Sequence, residues 1–178
     1  MPRLVAFLRG INVGGHLVKK ETLQEAFAAL GFRDVVTFRQ SGNVIFETTE
    51  PRPEVMTEKA QAALKRMLGF EVSVFVRTMA SLKKVVELDP FKGVESDGAS
   101  FLVTMLPTPL AKFPLDLPVT IPKSTAQVIS ASGAHVFSVT HGGGEGALPN
   151  PFLESKLKVK TTTRNMNTVK DIVEKFGS

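Results

Sequence analysis

The chain of 178 residues contains no cysteine, no tryptophan and no tyrosine, so all 13 of its aromatic residues are phenylalanine. Without cysteine there is no disulfide, no thiolate nucleophile, no cysteine-ligated zinc and no iron–sulfur cluster. Without tyrosine or tryptophan there is no phenol for acid–base chemistry and no indole to stack on a ligand. The three histidines, His16, His135 and His141, are widely separated. We therefore expect no metal site and no cofactor.

Long apolar runs are also missing, and none approaches the roughly 20 residues that a membrane span needs. The first ten residues resemble a signal peptide only superficially. Arg9 interrupts their short apolar stretch, and no small-residue cleavage site follows. The sequence therefore predicts no membrane association, and the absence of cysteine and of an export signal favours the cytoplasm.

The charge balance is mildly basic, with 22 lysines and arginines against 17 acidic residues, a net charge of +5 and a pI of about 9.6. Such a pI raises the question of nucleic-acid binding. The basic residues are spread evenly over both halves of the chain, and neither half forms a basic arm. The pattern favours a protein with a mildly positive surface.

The first 78 residues alternate between strand and helix patterns. Residues 4–11 are apolar on both faces apart from Arg9, which is typical of a buried central strand. A helix with apolar residues at i, i+3, i+4 and i+7 follows and ends at Gly31, and strands are predicted at 34–39 and 43–47. A second helix and a strand over 72–77 complete a β-α-β-β-α-β order, which is the ferredoxin-like pattern.

Residues 79–178 form the second predicted half. Strands are expected over 100–106, 125–130 and 135–139, with helices near 152–157 and after residue 165. A proline-rich stretch at 107–122 cannot remain regular for long. The sequence thus predicts an α+β protein of two ferredoxin-like halves packed together, the second of them distorted.

Both faces of the first predicted strand are apolar, although helices cover only one face of a ferredoxin-like sheet. Leu4, Ala6 and Leu8 line one side of this strand, and Val5 and Phe7 line the other. Whichever side the helices leave open is too apolar to face water, so the second half or a second subunit should cover it. We interpret Phe7, Phe46 and Phe75 as core residues rather than as an aromatic platform for RNA bases.

Three polar segments contain more polar residues than local structure requires. The first, Arg9 to Gly15, joins a strand to a helix; its glycines let backbone amides approach an anion, and Arg9 can bind phosphate or carboxylate. It matches neither the dinucleotide fingerprint nor the P-loop, and a tight turn formed by Asn12 is an equal alternative.

The second and third polar segments carry the same ambiguity. Gln40-Ser41-Gly42-Asn43 lies at a hairpin tip, where a turn explains most of its residues. Residues 161–168 precede the last helix and contain Arg164 and Asn165, although a helix cap needs one polar residue there. His141 beside its glycines is a weaker candidate for a mobile general base, and Thr78 is a candidate helix cap.

These segments carry a resemblance to a known family. The chain contains Phe7-Leu-Arg-Gly-Ile-Asn-Val-Gly-Gly15, Gln40-Ser-Gly-Asn-Val-Ile-Phe46 and Thr163-Arg-Asn-Met-Asn-Thr-Val169 in that order. It thereby resembles the uncharacterised bacterial family catalogued as domain of unknown function 1697. The resemblance implies two ferredoxin-like halves and supplies no activity. Family members often carry tryptophan where this chain has Met166, and tyrosine where it has Phe38.

The leading hypothesis is that the protein binds a phosphate-bearing or other anionic small ligand, such as a nucleotide, in a cleft between the halves. The predicted ligand-binding residues are Arg9, Asn12, Gly14, Gly15, Ser41, Asn43, Arg164 and Asn165. Three alternatives stay open. They are nucleic-acid binding through the sheet or through Lys156, Lys158, Lys160 and Arg164, a metal-independent hydrolase or transferase, and a structural dimerisation module. A monomer and a homodimer are both compatible with the sequence.

Overall fold

The fold was analysed in a computed structural model, which describes residues 1–11, 15, 17–39, 42–142 and 148–178. Within these residues the chain forms five helices and two antiparallel sheets. This confirms the mixed α+β class that the sequence predicts. By its internal contacts the chain divides into two compact units. One consists of Met1–Lys84 together with Lys175–Ser178, and the other of Val85–Glu174.

The first unit contains six elements in the predicted β-α-β-β-α-β order. They are β1 (Arg3–Arg9), α1 (Lys20–Ala29), β2 (Arg33–Phe38), β3 (Asn43–Glu47), α2 (Pro53–Leu68) and β4 (Ser73–Thr78). The four strands form one sheet in the order β2-β3-β1-β4, and every neighbouring pair is antiparallel. Strands β1 and β2 therefore run in the same direction on either side of β3.

Two strands of this sheet end earlier in the chain than the sequence predicts. The first strand ends at Arg9 rather than at Ile11, because Gly10 has a φ of +88° and leaves the extended conformation. Strand β2 ends at Phe38 rather than at Arg39, whose φ is +49°. In both cases a left-handed residue ends the strand.

Helices α1 and α2 cover one face of the sheet. Leu4, Ala6 and Leu8 of β1 pack there with Phe27 of α1 and Leu64 of α2. The expected glycine ends of these helices are also present, since Gly31 and Gly69 have φ values of +86° and +80°. The apolar spacing predicted for α1 is confirmed, because Leu23, Ala26 and Phe27 are buried. On α2 the buried residues are Met56, Ala60, Ala63 and Leu64, whereas Met67, which the spacing places on the same face, is 46% exposed.

The opposite side of the sheet, which we call the second face, carries Val5, Phe7, Ile45 and Phe75, none of them more than 4% exposed. The apolar side chains predicted for this face are therefore buried. Arg77 lies on the same face, opposite Val5 in the strand pairing.

The remaining elements follow in the order α3 (Met79–Leu88), β5 (Ala99–Met105), β6 (Val119–Thr120), β7 (Ala126–Ser132), β8 (His135–His141), α4 (Asn150–Leu157), β9 (Thr162–Asn165) and α5 (Met166–Phe176). Thr78 begins α3 as its cap, because its Oγ1 accepts a hydrogen bond from the Ser81 amide at 3.0 Å. The two units divide within α3, whereas the sequence places the boundary before it, at residue 78.

The second sheet has the strand order β6-β7-β8-β5-β9. One of its faces packs on Leu153 of α4, together with Leu106, Val128 and Val136. On the other face, Phe91 stacks on Phe101 with ring centroids 4.6 Å apart. The proline-rich stretch between β5 and β7 contains only the two-residue strand β6 among the described elements, in agreement with its composition.

The last residues of the chain are bound to the first unit by Arg3. Its guanidinium donates one hydrogen bond to the Phe176 carbonyl at 2.8 Å and another to Glu47 Oε1 at 2.7 Å. The Phe176 ring meets the Phe38 ring edge-on at 5.7 Å. Among the described residues, no helix is long and apolar enough to cross a membrane.

One buried hydroxyl in the second sheet lacks a partner within the described part of the chain. Ser138 is fully buried on β8, and its Oγ makes no hydrogen bond. Two neighbours in the strand register, Leu102 and Val128, are apolar. A hydroxyl in such surroundings has lost water without replacing it.

We predict that Ser138→Ala stabilises the protein by about 1 kcal/mol, because it removes an unsatisfied buried hydroxyl. Urea unfolding at neutral pH measures the change. Thr104→Val serves as the matched control, because the Thr104 hydroxyl is bonded to Thr163 Oγ1 at 2.8 Å, and its loss should destabilise the fold. A loss of stability in Ser138→Ala would contradict the assignment.

The contact between Arg3 and Glu47 makes the stability of the folded protein depend on pH. The hydrogen bond from Arg3 holds the pKa of Glu47 below its ordinary value of 4.5. A carboxyl with a lowered pKa stabilises the folded state above its unfolded pKa, and this stabilisation is lost as the pH falls below about 4.5. We expect urea midpoints between pH 6 and pH 3 to fall less steeply in Arg3→Gln than in the unmodified protein; equal slopes would contradict the coupling.

Candidate functional site

Arg9 and Asn43, which belong to the first two polar segments, lie at one edge of the first sheet. Strands β1 and β2 both end at this edge, and β3 begins there. Phe7 pairs with Asn43, and the Leu8 amide donates to the Gly42 carbonyl at 2.9 Å. The end of β1 and the turn between β2 and β3 are therefore neighbours, as a common binding site would require.

Asn43 helps to hold this turn together. It is 3% exposed, and its Nδ2 donates to the Phe38 carbonyl at 3.0 Å, across the hairpin. This bond supports the interpretation of Asn43 as a turn residue. It lies on the second face, in line with Phe7. Gln40 and Ser41 fall outside the described residues.

Arg9 lies at the end of β1, opposite Ser73 and partly exposed. By strand alternation its side chain belongs to the second face, as does that of Asn43. Gly10 and Gly15 both have φ near +90°, a conformation that glycine adopts at low cost. Asn12 and Gly14 lie outside the described residues.

Arg164, in the second unit, has a fixed and partly buried guanidinium. Its Nη1 donates to Thr162 Oγ1 at 2.7 Å and to the Thr163 carbonyl at 3.0 Å. These bonds use both hydrogens of that nitrogen and set the orientation of the planar group. Burial lowers the pKa of Arg164 to about 10, so the side chain stays charged at neutral pH.

Asn165 follows Arg164 on β9, so the two side chains alternate to opposite faces of the sheet. The Oδ1 of Asn165 accepts a hydrogen bond from the Asn167 amide at 2.9 Å, and Asn165 therefore caps α5. Met166 is 2% exposed and belongs to the core. Of Arg164 and Asn165, it is Asn165 for which the interpretation as a helix cap is confirmed.

The structure places the predicted residues in two groups. Arg9, Gly15 and Asn43 belong to the first unit, and Arg164 and Asn165 to the second. Arg9 and Asn43 lie near the same edge of one sheet. That the two groups form a single site stays a prediction.

The weaker candidates are at the surface. His141 is the exposed last residue of β8, and Lys156, Lys158 and Lys160 are exposed around the end of α4. Lys158 adopts a φ of +58° as the helix cap, which accounts for its position. Among the described residues, no three potential metal ligands form a cluster.

Two arginines lie outside the predicted binding set: Arg77, which the sequence offers only as a weaker candidate beside Thr78, and Arg39, which it does not single out. Arg77 is 9% exposed on the second face, and its Nη1 donates to the Val76 carbonyl at 3.0 Å. Burial lowers the pKa of Arg77 to about 10. Arg39 precedes the β2–β3 turn, and the residue types in this part of the sequence do not predict its positive φ. A lone arginine within an otherwise apolar strand was the available signal for Arg77.

The cap assignment predicts that Asn165→Ala destabilises the protein by about 1 kcal/mol, because it removes the acceptor for the Asn167 amide. Asn165→Asp keeps an acceptor at the helix N-terminus and should retain most of the stability. Thermal and urea unfolding test both variants. Equal destabilisation by alanine and by aspartate would show that a hydrogen-bond acceptor at residue 165 does not stabilise the protein.

Comparisons with curated proteins and with solved structures bear on the fold of the chain and not on its function. No curated protein matches the chain. The structure is similar to that of a conserved bacterial protein from Streptococcus pneumoniae, with a TM-score of 0.68 and 18% sequence identity. The similarity covers 100% of this chain and 99% of the other, and at this identity it shows the fold alone.

The family comparison covers most of the chain. The model of the family described as "Protein of unknown function (DUF1697)" matches residues 1–137. This region contains the first two polar segments, whereas β9 and α5 lie beyond it. The family that the sequence resembles is therefore confirmed: the chain belongs to DUF1697.

Proposed function

We propose that the protein binds a phosphate-bearing or other anionic small ligand, such as a nucleotide. The proposed ligand-binding set is the one named from the sequence: Arg9, Asn12, Gly14, Gly15, Ser41, Asn43, Arg164 and Asn165. Arginine, amide and hydroxyl side chains with glycine backbone amides suit the holding of an anion.

The observation that carries this proposal is the state of Arg164. Its guanidinium is shielded from water and oriented by Thr162 and Thr163, and with a pKa of about 10 it is still charged near pH 7. A charge that is partly removed from water attracts an anion more strongly than an exposed one does. The fixed orientation also lowers the entropy lost when a carboxylate or phosphate binds.

The edge of the first sheet supplies the second support. Arg9 lies there with Asn43, and Gly10 follows Arg9 in a left-handed conformation. A glycine lets the neighbouring backbone amides approach a phosphate without a side chain in the way. An arginine next to such amides is a common arrangement for anion recognition.

The proposal includes a more specific fold. The order β2-β3-β1-β4 of the first sheet corresponds to the order β7-β8-β5-β9 of the second, strand for strand along the chain. The proline-rich stretch stands where α1 stands in the first unit, and α4 stands where α2 stands. We therefore interpret both units as ferredoxin-like, the second with its first helix replaced. A cysteine-free chain also suits the reducing cytoplasm, where we place the protein.

The test is calorimetric titration of the full chain with phosphate, pyrophosphate and nucleotides. Arg164→Ala should weaken binding by about 1–3 kcal/mol, because it removes a charge-assisted hydrogen-bonding group. Arg164→Lys should restore little, since an ammonium lacks the planar fork of donors. Urea unfolding of each variant separates lost binding from lost folding.

Lys156→Ala is the matched control, because it removes one positive charge from an exposed position nearby. It should bind the anions as the unmodified protein does. The proposal is wrong if none of the anions binds, or if Arg164→Ala binds them as tightly as before. Equal losses in Arg164→Ala and Lys156→Ala, with a steep dependence on salt, would point to non-specific polyanion binding instead.

A further inference from the structure

Arg39 adopts a backbone conformation that costs an L-residue free energy. Its φ of +49° lies in the left-handed region, directly after β2. Glycine or asparagine occupies such a position at lower cost. An arginine there is unfavourable for the turn alone, and the position of its side chain is the feature that a glycine could not supply.

The left-handed backbone changes the side of the sheet on which this arginine lies. Phe38 pairs with Asn43, and Asn43 pairs with Phe7, so Phe38 belongs to the second face. In a continued strand Arg39 would point to the opposite, helix-covered face. Instead, its guanidinium carbon is 5.3 Å from the centre of the Phe38 ring. The positive φ thus returns the guanidinium to the Phe38 side.

A second cation shares this ring. Lys175 Nζ lies 5.7 Å from the Phe38 centroid, and the neighbouring Phe176 ring meets Phe38 edge-on. Phe176 is held in turn by the hydrogen bond from Arg3 to its carbonyl. The two positive charges are therefore positioned around one half-buried aromatic ring, and both side chains reach solvent.

This cluster of Phe38, Arg39 and Lys175 adjoins the edge where the proposed ligand would bind. Asn43 Nδ2 donates a hydrogen bond to the Phe38 carbonyl. Arg9 is the last residue of β1, which is the next strand beyond β3 in the sheet. Since β3 separates β2 from β1, the backbones of Arg39 and Arg9 are roughly 10 Å apart. An extended ligand with several charges spans this separation and contacts both arginines.

We propose that Arg39 and Lys175 form a second anion subsite, and that the ligand carries a chain of phosphates, as a polyphosphate or a nucleoside triphosphate does. This inference rests on the proposed function, because the first phosphate would be held by the residues named there. The left-handed Arg39 is then a binding residue whose backbone strain aims its charge at the ligand.

The experiment is calorimetric titration of the full chain with tripolyphosphate and with orthophosphate at low ionic strength. Arg39→Gly keeps the backbone conformation and removes the guanidinium. It should weaken tripolyphosphate binding about five- to tenfold and change orthophosphate binding less than about twofold. Lys175→Gln should show the same preference. Arg39→Asn, whose side chain tolerates the left-handed conformation, is the second variant at this position.

Arg33→Gln is the matched control, since Arg33 is an exposed arginine at the other end of β2 and its replacement changes the net charge equally. It should leave both affinities unchanged. The inference is overturned if Arg39→Gly binds tripolyphosphate normally, or if Arg33→Gln weakens it equally. If the unmodified protein binds neither probe, the proposed function fails as well. If it binds both and only Arg164→Ala matters, the proposed function stands without this subsite.

Discussion

The burial of β1 on both faces is the constraint on which the first unit depends. Every residue from Leu4 to Leu8 is at most 3% exposed, and the strand pairs with β3 on one side and β4 on the other. An apolar strand in this position leaves little room for polar chemistry along its length. Polar side chains that could meet a ligand are therefore found where strands end, at Arg9 and around the β2–β3 turn.

Residues with a left-handed backbone conformation directly follow β1 and β2. Gly10 ends β1 and begins the glycine-containing segment, and Arg39 ends β2 while turning a guanidinium onto the Phe38 ring. Glycine meets such a requirement through its missing side chain, whereas arginine meets it at a cost. The same backbone feature thus ends β1 at a glycine and ends β2 at an arginine whose guanidinium lies over an aromatic ring.

Two arginines bring charge into apolar surroundings. Arg77 on the first sheet and Arg164 on the second both have a pKa of about 10 because of burial, and both therefore stay protonated at neutral pH. Each donates to a nearby backbone carbonyl, and Arg164 also to a threonine hydroxyl. Desolvating such charges costs free energy, and the hydrogen bonds to carbonyl and hydroxyl oxygens offset part of this cost.

Much of the first unit could be predicted because its signals are local. The spacing of Leu23, Ala26 and Phe27 indicates the buried face of α1, and Gly31 and Gly69 mark helix ends within a few residues. The second unit was harder, because β6 is only two residues long and prolines interrupt the stretch that contains it. The predicted set of binding residues drew on polar composition, which cannot distinguish a cap such as Asn165 from a ligand contact.

By itself, the sequence determined the α+β class, the order of elements in the first unit, the apolar faces and the family, since these depend on residue type and spacing. Only the tertiary structure decided which strands are neighbours, so that Asn43 lies beside Phe7. It also decided that Arg77 is buried and that Arg164 is partly buried. Strand pairing and burial arise from contacts between residues distant in the chain, and no short segment encodes them.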